Sequence, residues 1–134
     1  MRPPDKIRDE FVRQWLLRAE EDLNAAKSLI TYEASFLSTV CFHSQQAAEK
    51  YLKAFLTYHQ VEFPKTHDID ELLDLAASVN NELSESLRDI TVLTNYGVDV
   101  RYPGDFPDIG GKDAQKAIRL AEKTRKAVLE VLNV

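Results

Sequence analysis

Between Phe36 and Leu56 the residues Phe36, Leu37, Val40, Cys41, Ala47, Ala48, Tyr51, Leu52, Phe55 and Leu56 recur at helical spacing. At 100° per residue they cover roughly half of a helix's circumference. A surface helix needs only one apolar stripe, so a helix over residues 35–59 has to pack against more than one neighbour. The rest of the chain supplies neighbours of the same kind. Val12, Trp15, Leu16, Ala19, Leu23, Ala26 and Ile30 fall on one face of a helix over residues 8–30. Asp68-Ile69-Asp70-Glu71 reads as a capping box that opens a short helix with Ile69, Leu72, Leu73 and Ala76 inward. Leu83, Leu87, Ile90 and Thr94, with Leu93 beside them, mark a fourth helix. It is expected to stop at Tyr96-Gly97, where glycine can take a left-handed conformation. A last helix over residues 113–132 turns Ala114, Ala117, Ile118, Ala121, Val128 and Leu132 inward. No two-residue alternation calls for a strand. The expected fold is all-α, an antiparallel four-helix bundle with an additional short helix, as a single domain over residues 1–134.

Net charge and cysteine content narrow the function classes. The formal charge of −5 argues against a protein that coats nucleic acid non-specifically, because such binding depends on many Lys and Arg side chains neutralising phosphates. Any nucleotide or RNA ligand must then meet a local basic patch. The single cysteine, Cys41, excludes an intrachain disulfide and is expected to be buried and inert, which points to a reducing, cytoplasmic location. The charged start Met1-Arg2-Pro3-Pro4-Asp5-Lys6 reads as neither signal peptide nor anchor, and no run approaches the roughly 18 apolar residues of a membrane span.

Candidate binding residues lie on the polar side of the second helix. His43, Gln46, Lys50 and Lys53 follow one another at three- and four-residue steps, a donor-rich strip suited to phosphate and base edges. The plainer interpretation is an exposed face on which Glu49 is a partial counter-charge. His67 stands at the entrance of the short helix, where its ordinary task is to fix the turn. The histidines, His43, His59 and His67, form no HxxxH arrangement, and Gly104, Gly110 and Gly111 fit no phosphate-loop frame, so neither a metal nor a cofactor is expected. On the last helix Lys112, Lys116, Arg119, Lys123 and Lys126 align opposite the apolar side. That stripe is either a solvated exterior or a phosphate track.

The segment from Cys41 to Ala54, CFHSQQAAEKYLKA, then Thr66-His67-Asp68, then Tyr96 and Arg101-Tyr102-Pro103, resembles the HEPN family, the higher eukaryotes and prokaryotes nucleotide-binding domain. Order and spacing agree over nearly the whole chain. The resemblance implies the same bundle, a symmetric dimer, and in prokaryotes a minimal nucleotidyltransferase as partner in two-component, toxin–antitoxin-like systems. Many HEPN proteins are ribonucleases with an arginine followed four to six residues later by a histidine. Here Arg101 has no histidine after it, and no other arginine has one at that spacing. The ribonuclease would lack an acid or base worth typically ~10²–10⁴ in rate.

Three functions are therefore expected in descending order. The first is a non-catalytic homodimeric subunit that binds a nucleotide, or a nucleotidyltransferase, through His43, Gln46, Glu49, Lys50, Lys53, His67, Tyr96, Arg101 and Tyr102. The second is a ribonuclease toxin with a degenerate site that uses His43 or His67, and the third a purely structural or regulatory interaction domain. The irregular stretch over residues 98–112 is expected to fold back so that Arg101 and Tyr102 approach His43, Gln46 and Lys50, with Glu49 or Asp99 as the other available partners of Arg101. The homodimer is expected because the apolar arc of the second helix exceeds what one bundle seam needs.

Overall fold

A computed structural model describes residues 3–32, 36–97 and 109–134. All regular structure among them is helical. The elements are α1 (Pro3–Ile30), α2 (Leu37–Tyr58), α3 (Ile69–Ala77), α4 (Asn81–Ser86), a 3₁₀ helix (Arg88–Tyr96) and α5 (Gly111–Leu132).

The helix with the widest apolar arc is the axis of the molecule. α2 packs against α1, α3, the 3₁₀ helix and α5, and residues 51–56 are all buried. Its pairing with α1 is antiparallel: Asp22 meets His43, Glu20 meets Tyr51, the Lys53 ammonium lies over the Trp15 ring and the Arg8 guanidinium over the Tyr58 ring. α5 also runs against α1, since Lys27 pairs with Glu122 and Glu20 with Arg125. The other helices thus cover the arc from Val40 to Leu56, while Phe36 and Leu37 at its start are half-buried. From Val40 onward the arc leaves no surface for a second copy, the reason given above for a dimer. On α1, Ile7, Phe11 and Leu17 are 60%, 53% and 50% exposed.

Most expected faces are inward. Ile69, Leu72, Leu73 and Ala76 of α3 are buried, as are Ala114, Ala117, Ala121, Val128 and Leu132 of α5, while Ile118 is half-buried. The cap of α3 differs in one bond from the expected box. Asp68 accepts from the Asp70 and Glu71 amides at 3.0 and 3.4 Å, but its own N–H donates to the Thr66 hydroxyl, which in turn donates to Glu71.

The expected fourth helix is two pieces. α4 ends after one and a half turns, and the chain then tightens into a 3₁₀ helix that places Leu87, Ile90, Leu93 and Tyr96 three apart in one row. Leu87, Ile90 and Leu93 are fully buried. Hydroxyls sustain the tightening, because Ser86 donates to the Leu83 carbonyl and Thr91 to the Arg88 carbonyl, both three residues back. Nor does Gly97 end this element in a left-handed conformation: its φ is −87°. Glycine is needed there for space. A Cβ would lie 2.8 Å from Cδ of Gln45.

Candidate functional site

At the core of the bundle the polar side of α2 divides into two columns. His43 and Lys50 face α1, where Asp22 receives both: His43 Nδ1 is 2.8 Å from Asp22 Oδ1, and the Lys50 ammonium donates to Oδ2. One carboxylate therefore holds an imidazole and an ammonium side by side at the rim. His43 keeps Nε2 as its outward hydrogen-bonding atom.

The second column is buried. Gln45, Glu49 and Lys53 follow at four-residue steps, and Glu49 and Lys53 are only 2% and 8% exposed. Lys53 donates to Glu49 Oε1 at 2.6 Å, while Gln45 donates to Oε2 at 2.9 Å and to the His67 carbonyl at 3.3 Å. His67 Nδ1 lies 3.1 Å from Glu49 Oε2, and the Gln46 amide donates to Gln45 Oε1 at 2.7 Å. The Lys53 ammonium also sits 5.5 Å from the Trp15 ring centre and 5.8 Å from that of Phe63, within reach of cation–π attraction. A buried charge without such partners would cost several kcal/mol, roughly the stability margin of a small domain.

A third, half-buried cluster joins three helices. Glu20 Oε1 accepts from the Tyr51 hydroxyl at 2.5 Å and from Arg125 Nε at 2.6 Å. Burial raises the Tyr51 pKa far above the ordinary phenol range, and Glu20 adds to it. Burial alone would also raise the Glu20 carboxyl, but Tyr51 and Arg125 hold it below its usual value. The thiol of Cys41 is pushed up to about 11 by burial and then by the field of Asp113, so it stays protonated at neutral pH.

Six of the nine candidate residues from the sequence come together. His43 and Lys50 share Asp22, and Gln46, Glu49, Lys53 and His67 belong to the Gln45 network. Tyr96 is half-buried against the core one residue before Gly97, where an added Cβ would collide with Gln45. Arg101 and Tyr102 lie outside the described residues, as do Asp99 and the expected approach of this stretch to α2. Sequence reasoning missed Asp22, Gln45 and Glu20. Asp22 had a legible signal: it falls three residues after Ala19 and four before Ala26, at the edge of the inward stripe.

Among the described residues no cluster of three or more His, Cys, Asp or Glu could hold a metal ion, and no helix is long and apolar enough to cross a membrane. The geometry defines an all-helical bundle whose central helix carries a charge-matched polar interior. The model of the HEPN domain matches residues 12–131, and the chain belongs to that family. Two crystal structures are similar to it. TT1696 from Thermus thermophilus has a TM-score of 0.71 at 29% identity, covering 89% of this chain and 96% of its own. ST0689, described as an archaeal HEPN homologue, has a TM-score of 0.69 at 27% identity, covering 87% and 93%. No curated protein sequence matches the chain.

Proposed function

We propose that this HEPN domain is a non-catalytic binding subunit, a homodimer that partners a minimal nucleotidyltransferase in a two-component, toxin–antitoxin-like system of the cytoplasm. The observation that carries this reading is the charge matching of α2. Lys50 and Lys53 each face a carboxylate, Asp22 and Glu49, so the strip holds donors in fixed positions at almost no net charge. A site of that kind suits recognition better than the transition-state stabilisation of an RNA phosphodiester, which calls for uncompensated positive charge. The half-buried rim of the network, His43, Gln46 and Lys50, together with Tyr96, Arg101 and Tyr102, is the surface assigned to a nucleotide or to the nucleotide-bearing face of the transferase. The exposed apolar side chains of α1 are assigned to the second copy.

A thermal-shift screen of the full chain against nucleotides, combined with co-purification with a minimal nucleotidyltransferase, tests the reading. A ligand that binds only the folded state raises apparent stability by RT ln(1 + [L]/Kd). Transferase binding that is lost on replacing Lys50 and Arg101 together, with dimerisation intact by light scattering, is the expected result. Specific RNA cleavage by the chain alone, abolished by Arg101→Ala, would replace it with the ribonuclease reading. One observation favours that alternative: Asp22 orients His43 as a carboxylate orients a general base. A purely structural domain would show neither binding nor cleavage.

A further inference from the structure

α5 turns five cations outward at steps of four and three residues, Lys112, Lys116, Arg119, Lys123 and Lys126, and all five are exposed. Lys123 is neutralised by Asp89, with 2.9 Å to each carboxylate oxygen. Among the described residues Lys112, Lys116, Arg119 and Lys126 have no carboxylate partner within ion-pair distance. Like charges at this spacing disfavour a helix by about 0.2–0.5 kcal/mol per pair, and the chain as a whole is acidic. The stripe is about 21 Å long at 1.5 Å per residue.

Beside it, at the seam between α5 and the end of α1, lies a shallow groove of about 480 Å³ lined by Lys27, Ile30, Thr31, Gln115, Ile118 and Arg119. Ile30 and Ile118 give it an apolar floor, and the Gln115 amide and Thr31 oxygen give it hydrogen-bonding edges. Thr31 already donates to the Ser28 carbonyl, so its oxygen remains as an acceptor. Glu122, an acid at this seam, is paired with Lys27. Arg119 belongs to both stripe and groove.

A cationic track beside an apolar, hydrogen-bonding recess matches the two parts of a single-stranded nucleotide chain: phosphates along the track, an unstacked base in the recess. We propose that the α5 stripe and the α1–α5 groove bind single-stranded nucleic acid, with phosphates on Lys112, Lys116, Arg119 and Lys126 and a base on Ile30 and Ile118. This deepens the binding role assigned above and sites it on a different face from the α2 rim.

Fluorescence anisotropy of labelled ten-nucleotide RNA and DNA strands with the full chain, across a salt series, decides it. Four neutralised phosphates give a slope of log K against log salt of about −2.8, from ~0.7 per phosphate on a single strand. Arg119→Glu with Lys116→Glu should weaken binding more than about tenfold and flatten the slope, while Arg13→Ala, on α1, changes neither. RNA and DNA strands binding alike places the recognition on phosphate and base; a preference for RNA adds the ribose hydroxyl, and both outcomes uphold the site. Absence of strand binding at low salt, or an ATP affinity equal to that of the strands, overturns it. So does a double variant that binds strands normally. If binding instead disappears in Lys50→Ala, the α2 rim is the nucleic-acid site and the binding role survives. If the α5 variants lose a nucleotidyltransferase but never bound a strand, the stripe is a protein-docking face.

Discussion

α2 and α5 are of equal length, 22 residues each, and both carry lysines at helical spacing, yet the two sets of cations live in opposite circumstances. Those of α2 each face a carboxylate, and one of the pairs is buried. Those of the outward α5 stripe, Lys112, Lys116, Arg119, Lys123 and Lys126, stand in solvent, and of these five only Lys123 has an anionic partner among the described residues. The difference follows from desolvation. A charge taken out of water has to be matched at once by the fold, whereas a charge left in water can wait for a ligand. The α2 cations therefore bear on stability, and the α5 cations on association.

The largest test of this contrast is to break the buried pair. Lys53→Ala or Glu49→Ala should each cost about 3–5 kcal/mol in urea unfolding, because either leaves an uncompensated buried charge. Replacing both, as Glu49→Leu with Lys53→Met, should recover most of that loss. If the single variants lose less than about 1 kcal/mol, the interior is not charge-matched in the way the geometry implies.

Gly97→Ala is the next largest perturbation. Its methyl group would push the Gln45 side chain off Glu49 and the His67 carbonyl, at an expected cost of about 1–3 kcal/mol. Combined with Gln45→Ala the cost should be clearly less than the sum, since both changes break the same contacts. Additive losses would show that Gly97 matters for some reason other than Gln45.

A milder probe is pH. The unfolded chain gives up its Cys41 proton near the ordinary value of 9.0, whereas the folded chain keeps it until about 11. Between these values the unfolded state binds fewer protons, so stability should fall as pH rises through the window. Cys41→Ala should flatten this part of the profile, and the native thiol should resist aromatic disulfide reagents at pH 8. The smallest effect belongs to the exterior: Lys116→Ala with Arg119→Ala should change unfolding stability by less than about 0.5 kcal/mol. A larger loss would mean that the α5 cations already have structural partners, and the contrast between the two helices would fail.

The fate of the α2 strip shows how far local pattern carries. Its spacing grouped Lys53 with His43, Gln46 and Lys50, but the 60° between Lys53 and Lys50 sends them to different partners. Lys50 reaches α1, and Lys53 turns inward between Glu49 and two aromatic rings. A single helix's sequence does not state which neighbour covers which sector. Gln45 went unnoticed because its importance comes from residues far away in sequence, the His67 carbonyl and the Gly97 backbone that leaves it room.

Apolar periodicity by itself determined that the fold is all-helical, roughly where α1, α2, α3 and α5 run, though α1 begins at Pro3 rather than near Arg8, and that α2 packs against more than one neighbour, because an arc that wide cannot be covered by one. The short motifs along α2 and after it were enough to indicate the family. Only the tertiary structure decided that the fourth helix breaks into α4 and a 3₁₀ row and that Asp22 and Glu49 hold the α2 lysines. Periodicity is written into each segment, since burial of one face depends on that segment's own residues. Charge pairing depends on the register between segments, which packing alone sets.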